Sequence, residues 1–249
     1  MVKAKKVQGL HCGAPVGEGI RLVFTTRLTE LLEWRKTALD WSDPEGVHSM
    51  RVASRRLRSA MRDFLPYLPK RSFAPSARKF KAIADALGAV RDQDVAIQAL
   101  EEIEKKAPAE HAAALKQFIA KRKDVREHQR RKLKAMLVKS ELKNLQTEFT
   151  AALDQATSVV ERKRKRVPPP TFAKVSGDII RDRLKEFEKR SDGLFKPFDV
   201  NALHDLRIAA KRLRYAIELL APCFPRSIIT HAKRAARLQT ALGDLHDCD

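Results

Sequence analysis

Residues 47–58 read VHSMRVASRRLR and residues 203–214 read LHDLRIAAKRLR, so one basic segment is written twice at an offset of 156. A unit that recurs once at this separation is an internal duplication, which excludes a solenoid of short repeats. The same offset superposes Pro66 on Pro222 and Pro69 on Pro225. After a one-residue slip, LGAVRDQD at 87–94 falls on LGDLHDCD at 242–249, with a shared LGxxxDxD pattern. The first unit runs on to about residue 158, so the second is expected to be shortened, by truncation of the chain or by loss of its last helices.

On a helix advancing about 100° per residue, His48, Arg51, Arg55, Arg58 and Arg62 share one face, while Met50, Ala53, Leu57, Ala60, Met61 and Phe64 share another. In the second copy His204, Arg207, Lys211 and Arg214 take the stripe positions, and Leu206, Ala209, Leu213, Ala216, Ile217 and Leu220 the apolar ones. Arg56 and Arg212 complete the two basic runs, and Glu218 stands where Arg62 stands. No acid lies between His48 and Arg62. The pairs Arg51–Arg55, Arg55–Arg58 and Arg58–Arg62 are therefore like-charge neighbours, each unfavourable by about a few tenths of a kcal/mol. A face meant for solubility would alternate signs. A stripe repeated at corresponding positions points instead to two faces converging on one anion track, for which arginine is suited because its planar fork grips phosphate oxygens in pairs. Arg78, Lys79 and Lys81, with Lys233, Arg234 and Arg237, precede the two LGxxxDxD patterns and extend the track. Arg122, Arg126 and Arg130, at i, i+4 and i+8, read as a solvated face, with a further extension of the track as the alternative.

Periodicity is helical nearly throughout and no alternating run reads as a strand, which predicts an all-α protein. Helices are expected over 17–40, from Asp43-Pro44 to Leu65, from Pro75 into the early 100s, from Pro108 to about Leu137 and on to about Ser158. Further helices follow over 172–190, 201–221 and 226–247. Asp43 before Pro44 is an acidic cap ahead of a residue whose missing N–H is harmless at a helix start. The run ERKRKRVPPP at 161–170 is basic and proline-blocked, so it reads as a linker. The expected layout is a mobile basic tail (1–16), a first helical bundle (17–158), a linker (159–171) and a second, shortened bundle (172–249).

Fifty-one Lys and Arg against 31 Asp and Glu leave a net charge of +20, so a polyanionic partner is indicated. Three cysteines, Cys12, Cys223 and Cys248, show no CxxC pairing, which argues against a disulfide framework or zinc site and for a reducing, cytoplasmic setting. No apolar run approaches the ~18 residues of a membrane span.

His48 and His204 lack a second His or Cys at i+3 or i+4, so they read as phosphate donors or hydrogen-bond partners and not as metal ligands. A histidine set among cations is expected to have a lowered pKa. Asp92, Asp94, Asp247 and Asp249 are the one acidic constellation, read as helix caps or ion-pair partners that orient the stripe arginines. A DxD pair can also hold Mg²⁺, so an accessory role in metal-assisted phosphate hydrolysis stays open. No P-loop is visible, and neither a cofactor nor enzymatic activity is expected. A nucleic-acid backbone is the other open ligand, at low salt above all. Aromatic residues are only 6% of the chain, which leaves few stacking platforms for bases.

The pairing of HxxRxxxRRLR with LGxxRDxDV, duplicated in a basic helical chain, resembles the CHAD family, the conserved histidine α-helical domain. The resemblance rests on His48, Arg51, Arg55, Arg56, Leu57 and Arg58 and on His204, Arg207, Lys211, Arg212, Leu213 and Arg214. It implies two pseudo-symmetric antiparallel helical bundles around a basic channel or groove. It also implies binding of inorganic polyphosphate, or another phosphate-rich polyanion, without catalysis, in the cytoplasm or at polyphosphate granules.

Overall fold

The computed structural model describes residues 3–162, 170–196 and 198–246. Its α-helices are α1 (Val16–Glu33), α2 (Arg35–Ala38), α3 (Pro44–Phe64), α4 (Lys70–Glu104), α5 (Ala109–Met136), α6 (Lys139–Arg162), α7 (Phe172–Arg190), α8 (Val200–Leu220) and α9 (Ile228–His246). Short 3₁₀ turns follow α3, α7 and α8. Among the described residues there is no strand, only a bridge between Pro15 and Thr171. The protein is all-α.

Local chemistry sets the helix ends. The Asp43 carboxylate accepts from Glu45 N–H at 2.8 Å, which satisfies a donor that the first turn leaves unpaired. Thr171 and Asp199 do the same for α7 and α8, accepting from Lys174 N–H at 3.2 Å and Ala202 N–H at 3.0 Å. Gly46 is needed for close approach, since a Cβ there would sit 2.1 Å from Thr37 O. One boundary departs from expectation: α4 begins at Lys70, five residues ahead of Pro75. The proline forfeits one hydrogen bond in the second turn, while buried Phe73 anchors the preceding turn and buried Ser76 follows it.

The chain packs as two compact units. The first holds Met1–Lys6, Thr25–Arg58 and Pro69–Asp154, and the second holds Val7–Phe24, Ser59–Leu68 and Gln155–Asp249. In the first, the Phe149 ring meets Phe73 and Phe80 edge-on, with centroids 5.7 and 5.3 Å away. In the second, Phe64 stacks on Phe172 at 5.5 Å and meets Phe24 edge-on. Part of the expected linker, residues 163–169, lies outside the described residues.

Cys12 and Cys223 form a disulfide, which corrects the expectation of unpaired thiols. The pairing spans 211 residues, so no local spacing announces it. Backbone bonds also tie the Cys12 segment to the start of α7: Phe172 N–H donates to Ala14 O and Ala173 N–H to Cys12 O, each at 2.8 Å. Lasting disulfides belong to oxidising compartments, which stands against the reducing setting inferred from cysteine spacing. No helix among the described residues is long and apolar enough to cross a membrane. Cross-linking so long a loop restricts the unfolded chain, so Cys12→Ser should lower stability by about 2–4 kcal/mol. Denaturation with and without reductant checks this, and a wild type indifferent to reductant would contradict it.

Candidate anion-binding site

In the first unit α3 supplies the row. Its apolar residues Met50, Ala53 and Leu57 are fully buried, which turns His48, Arg51, Arg55 and Arg58 toward the opposite, accessible side. Arg51 lies over α4 at Gly88, where an added Cβ would be 3.8 Å from its Nε. Its Nη2 is 3.9 Å from the Asp92 carboxylate. The Leu-Gly-x-x-x-Asp pattern thus meets Arg51 directly: the guanidinium packs over Gly88 at ordinary contact distance and Asp92 gives a distant countercharge. In the second unit the counterpart is visible at Gly243, whose added Cβ would be 3.7 Å from Arg207 Nε. Asp247 and Asp249 lie outside the described residues.

His48 is half-buried, with Nε2 4.0 Å from Glu45. Burial holds its pKa below the usual histidine range, and Arg91, Arg55 and Arg51 push the same way against the pull of Glu45. The ring is therefore neutral near pH 7. Arg91, the arginine inside LGAVRDQD, is a cation the sequence reading passed over. The signal was there, since the second copy carries His246 at that position.

Two residues assigned to phosphate from sequence have other partners. Arg56 Nη1 donates to Glu30 Oε1 at 2.6 Å, and Arg27 reaches the same carboxylate. The side chains are 11%, 2% and 6% exposed for Arg56, Glu30 and Arg27, so the triad is an internal tie. Arg212 and Arg183 hold Glu186 in the second unit, and Arg183 also grips buried Asp63 at 2.8 Å. Positions 27, 30 and 56 recur as 183, 186 and 212, again at an offset of 156. The shared Arg-Leu-x-Glu of α1 and α7 is a repeat element that the sequence reading missed.

The second row is the poorer one. His204 is exposed and Arg207 and Lys211 are half-buried, but Arg214 is buried, over the Tyr215 ring and 3.5 Å from Glu218. Arg214, the counterpart of exposed Arg58, is thus withdrawn from the accessible row. Arg62 belongs to the second unit, where its Nη2 donates to Ser59 Oγ at 2.9 Å.

The remaining cations divide. Lys81 is paired with Asp85 at 3.1 Å, and Lys79 with Glu148 of α6 at 2.9 Å. At about 100° per residue, Lys79 and Arg234 stand roughly 180° from Gly88 and Gly243, on the far side of their helices from Arg51 and Arg207. Arg78, Lys233 and Arg237 are exposed. Asp94 is buried and faces α5, 3.4 Å from Arg126 and 3.8 Å from Arg130. Burial pushes its carboxyl up, against the pull of Arg130, Arg126 and Arg91. Arg130 is itself buried, with its guanidinium 5.0 Å from the centre of the Trp41 ring. The α5 arginines at 126 and 130 are therefore a structural anchor, which corrects their reading as a solvated face.

An all-helical basic protein with duplicated histidine-arginine helices is the class these features define. The chain belongs to the CHAD domain family, whose model matches residues 22–249. It is similar to the crystal structure of the CHAD domain from the plant Ricinus communis, with 23% identity, a TM-score of 0.78, and 98% of this chain and 78% of that chain covered. A weaker likeness is to PptA from Streptomyces chartreusis, at 15% identity and a TM-score of 0.49 over 94% of this chain and 93% of that one. No curated protein matches the chain.

Proposed function

We propose that the chain binds inorganic polyphosphate along the α3 row and, with fewer cations, along the α8 row, and that it has no catalytic step of its own. The observation that carries this reading is the sorting of charge on α3. Arg56 is tied to buried Glu30, while His48, Arg51, Arg55 and Arg58 share a face of α3 with no acid between them in the sequence, the nearest acids shown being Glu45, 4.0 Å from His48, and Asp92, 3.9 Å from Arg51. That row runs about 15 Å along the helix, which suits an extended polyanion better than a single phosphate. Asp92 and Asp94, the one described acidic pair of the DxD kind, are turned to Arg51 and to Arg126 and Arg130. This supports a role in orienting cations.

Titration with long-chain polyphosphate, duplex DNA and single-stranded DNA at rising salt tests the proposal. Polyphosphate is expected to stay bound where both DNAs are released. Release of all three together would reduce the rows to a diffuse positive field.

The row also predicts a pH dependence. A bound anion raises the pKa of His48, which the free protein holds below about 6.5, so binding takes up a proton as pH falls through that range. Affinity for polyphosphate should rise from pH 7.5 to pH 5.5, and His48→Gln should flatten the profile. An unchanged slope in the variant would remove His48 from the site.

A further inference from the structure

Between the end of α1, α2 and α6, the first unit holds a cavity of about 540 Å³, inside the range of ~300–1,000 Å³ that suits small-molecule ligands. None of its lining residues belongs to the α3 row, and the Lys79–Glu148 pair places α6 on the side of α4 away from Gly88 and Arg51. Four cations, Arg35, Lys36, Lys139 and Lys143, line it. Arg35 is held in place, because its Nε donates to Leu137 O at 2.6 Å and leaves the Nη edge of the fork to other partners. Lys36, Lys139 and Lys143 are exposed and form no salt bridge among the described residues. The acid in the lining, Glu33, is already paired with Lys5.

The cavity is polarised. Leu137 stands two residues before Lys139, so its bond to Arg35 gathers the cations of α2 and α6 at the start of α6. Leu142 and Gln146 follow about one and two turns on, the latter about 10 Å along the helix from Lys139. Leu142 is buried and Leu32 half-buried, so this end offers an apolar floor with the Gln146 amide at its edge. The duplicated scaffold does not require the cations, since at the offset of 156 the counterparts of Leu32, Arg35 and Lys36 are Glu188, Ser191 and Asp192. Lys139 and Lys143 are like-charge neighbours one turn apart, an arrangement that opposes the helix and that an anion between them relieves.

We propose that this cavity binds an organic diphosphate of nucleotide size. The diphosphate lies among Arg35, Lys36, Lys139 and Lys143, and a flat ring covers Leu32 and Leu142 with its polar edge at Gln146. Four cations exceed what a carboxylate or a single phosphate neutralises, and an arginine fork fits paired phosphate oxygens. The apolar floor sets the site apart from the α3 row, because a bare phosphate chain has no apolar surface to bury there.

The test titrates the whole protein, at physiological salt and without divalent cations, with ADP and separately with pyrophosphate and adenosine. ADP is expected to bind saturably and at least about tenfold more tightly than either part, because both ends of the cavity contribute. Lys139 and Lys143 are exposed, so Lys139→Ala with Lys143→Ala is compatible with folding, checked by circular dichroism. This double variant should bind ADP at least about tenfold more weakly and long-chain polyphosphate as the wild type does. The Arg51→Glu, Arg55→Glu, Arg58→Glu protein should show the converse, with ADP binding kept and polyphosphate binding lost, so the two readings fail separately. No saturable binding of ADP, pyrophosphate bound as tightly as ADP, or an ADP affinity indifferent to the lysine pair would overturn the proposal. Loss of ADP binding in the arginine variant would also overturn it, because ADP would then lie on the α3 row.

Discussion

Replacing Glu30 by glutamine is expected to destabilise the protein by about 3–5 kcal/mol, and the same change at Glu186 by about 1 kcal/mol or less. The two carboxylates hold corresponding places in the two copies, each between two arginines. They differ in environment. Glu30 is 2% exposed, so its loss leaves Arg27 and Arg56, 6% and 11% exposed, charged and unneutralised where little water reaches them. Glu186 is 26% exposed, and solvent screens what its removal uncovers. Equilibrium denaturation of the two variants gives the comparison. Equal losses would mean that burial does not set the value of these ties.

Changing Arg51, Arg55 and Arg58 together to glutamate is expected to weaken polyphosphate binding by at least about a hundredfold. Charge-assisted hydrogen bonds are worth roughly 1.5–3 kcal/mol each, and reversal adds repulsion. The fold should survive, because Arg58 is exposed and the Asp92 contact of Arg51 is long, at 3.9 Å. Stability should change little, because carboxylates at 51, 55 and 58 repel one another about as the arginines did, while position 58 gains a favourable neighbour in Arg62, each pair being worth about a few tenths of a kcal/mol. Loss of binding with a melting temperature that changes little is the expected pair of results. Retained affinity would remove the row from the site.

The main helices and the α3 row were legible because both follow from short-range periodicity. Asp43-Pro44 marked the start of α3, and the spacing of Met50, Ala53 and Leu57 told which side is buried. What escaped was decided at long range. Glu30 and Arg56 meet across 26 residues and Cys12 and Cys223 across 211, and neither separation has a local signature. Arg56 and Arg58 look alike in the motif, yet they differ by the presence of a buried acid on α1. Arg130 reads as a surface cation until Trp41 and Asp94 are placed around it. Lys79 and Arg234 could have been separated from the track by the helical wheel, which sets them opposite Gly88 and Gly243.

The central claim is that a countable row of cations on α3 engages a phosphate chain. The dependence of polyphosphate affinity on salt measures this most directly, because each neutralised phosphate contributes about 0.7–0.9 to the slope of log K against log salt. Compared with wild type, the Arg51→Glu, Arg55→Glu, Arg58→Glu protein should show a slope shallower by about two to three. Parallel slopes for the two proteins would contradict the account, since the phosphates would then be held elsewhere.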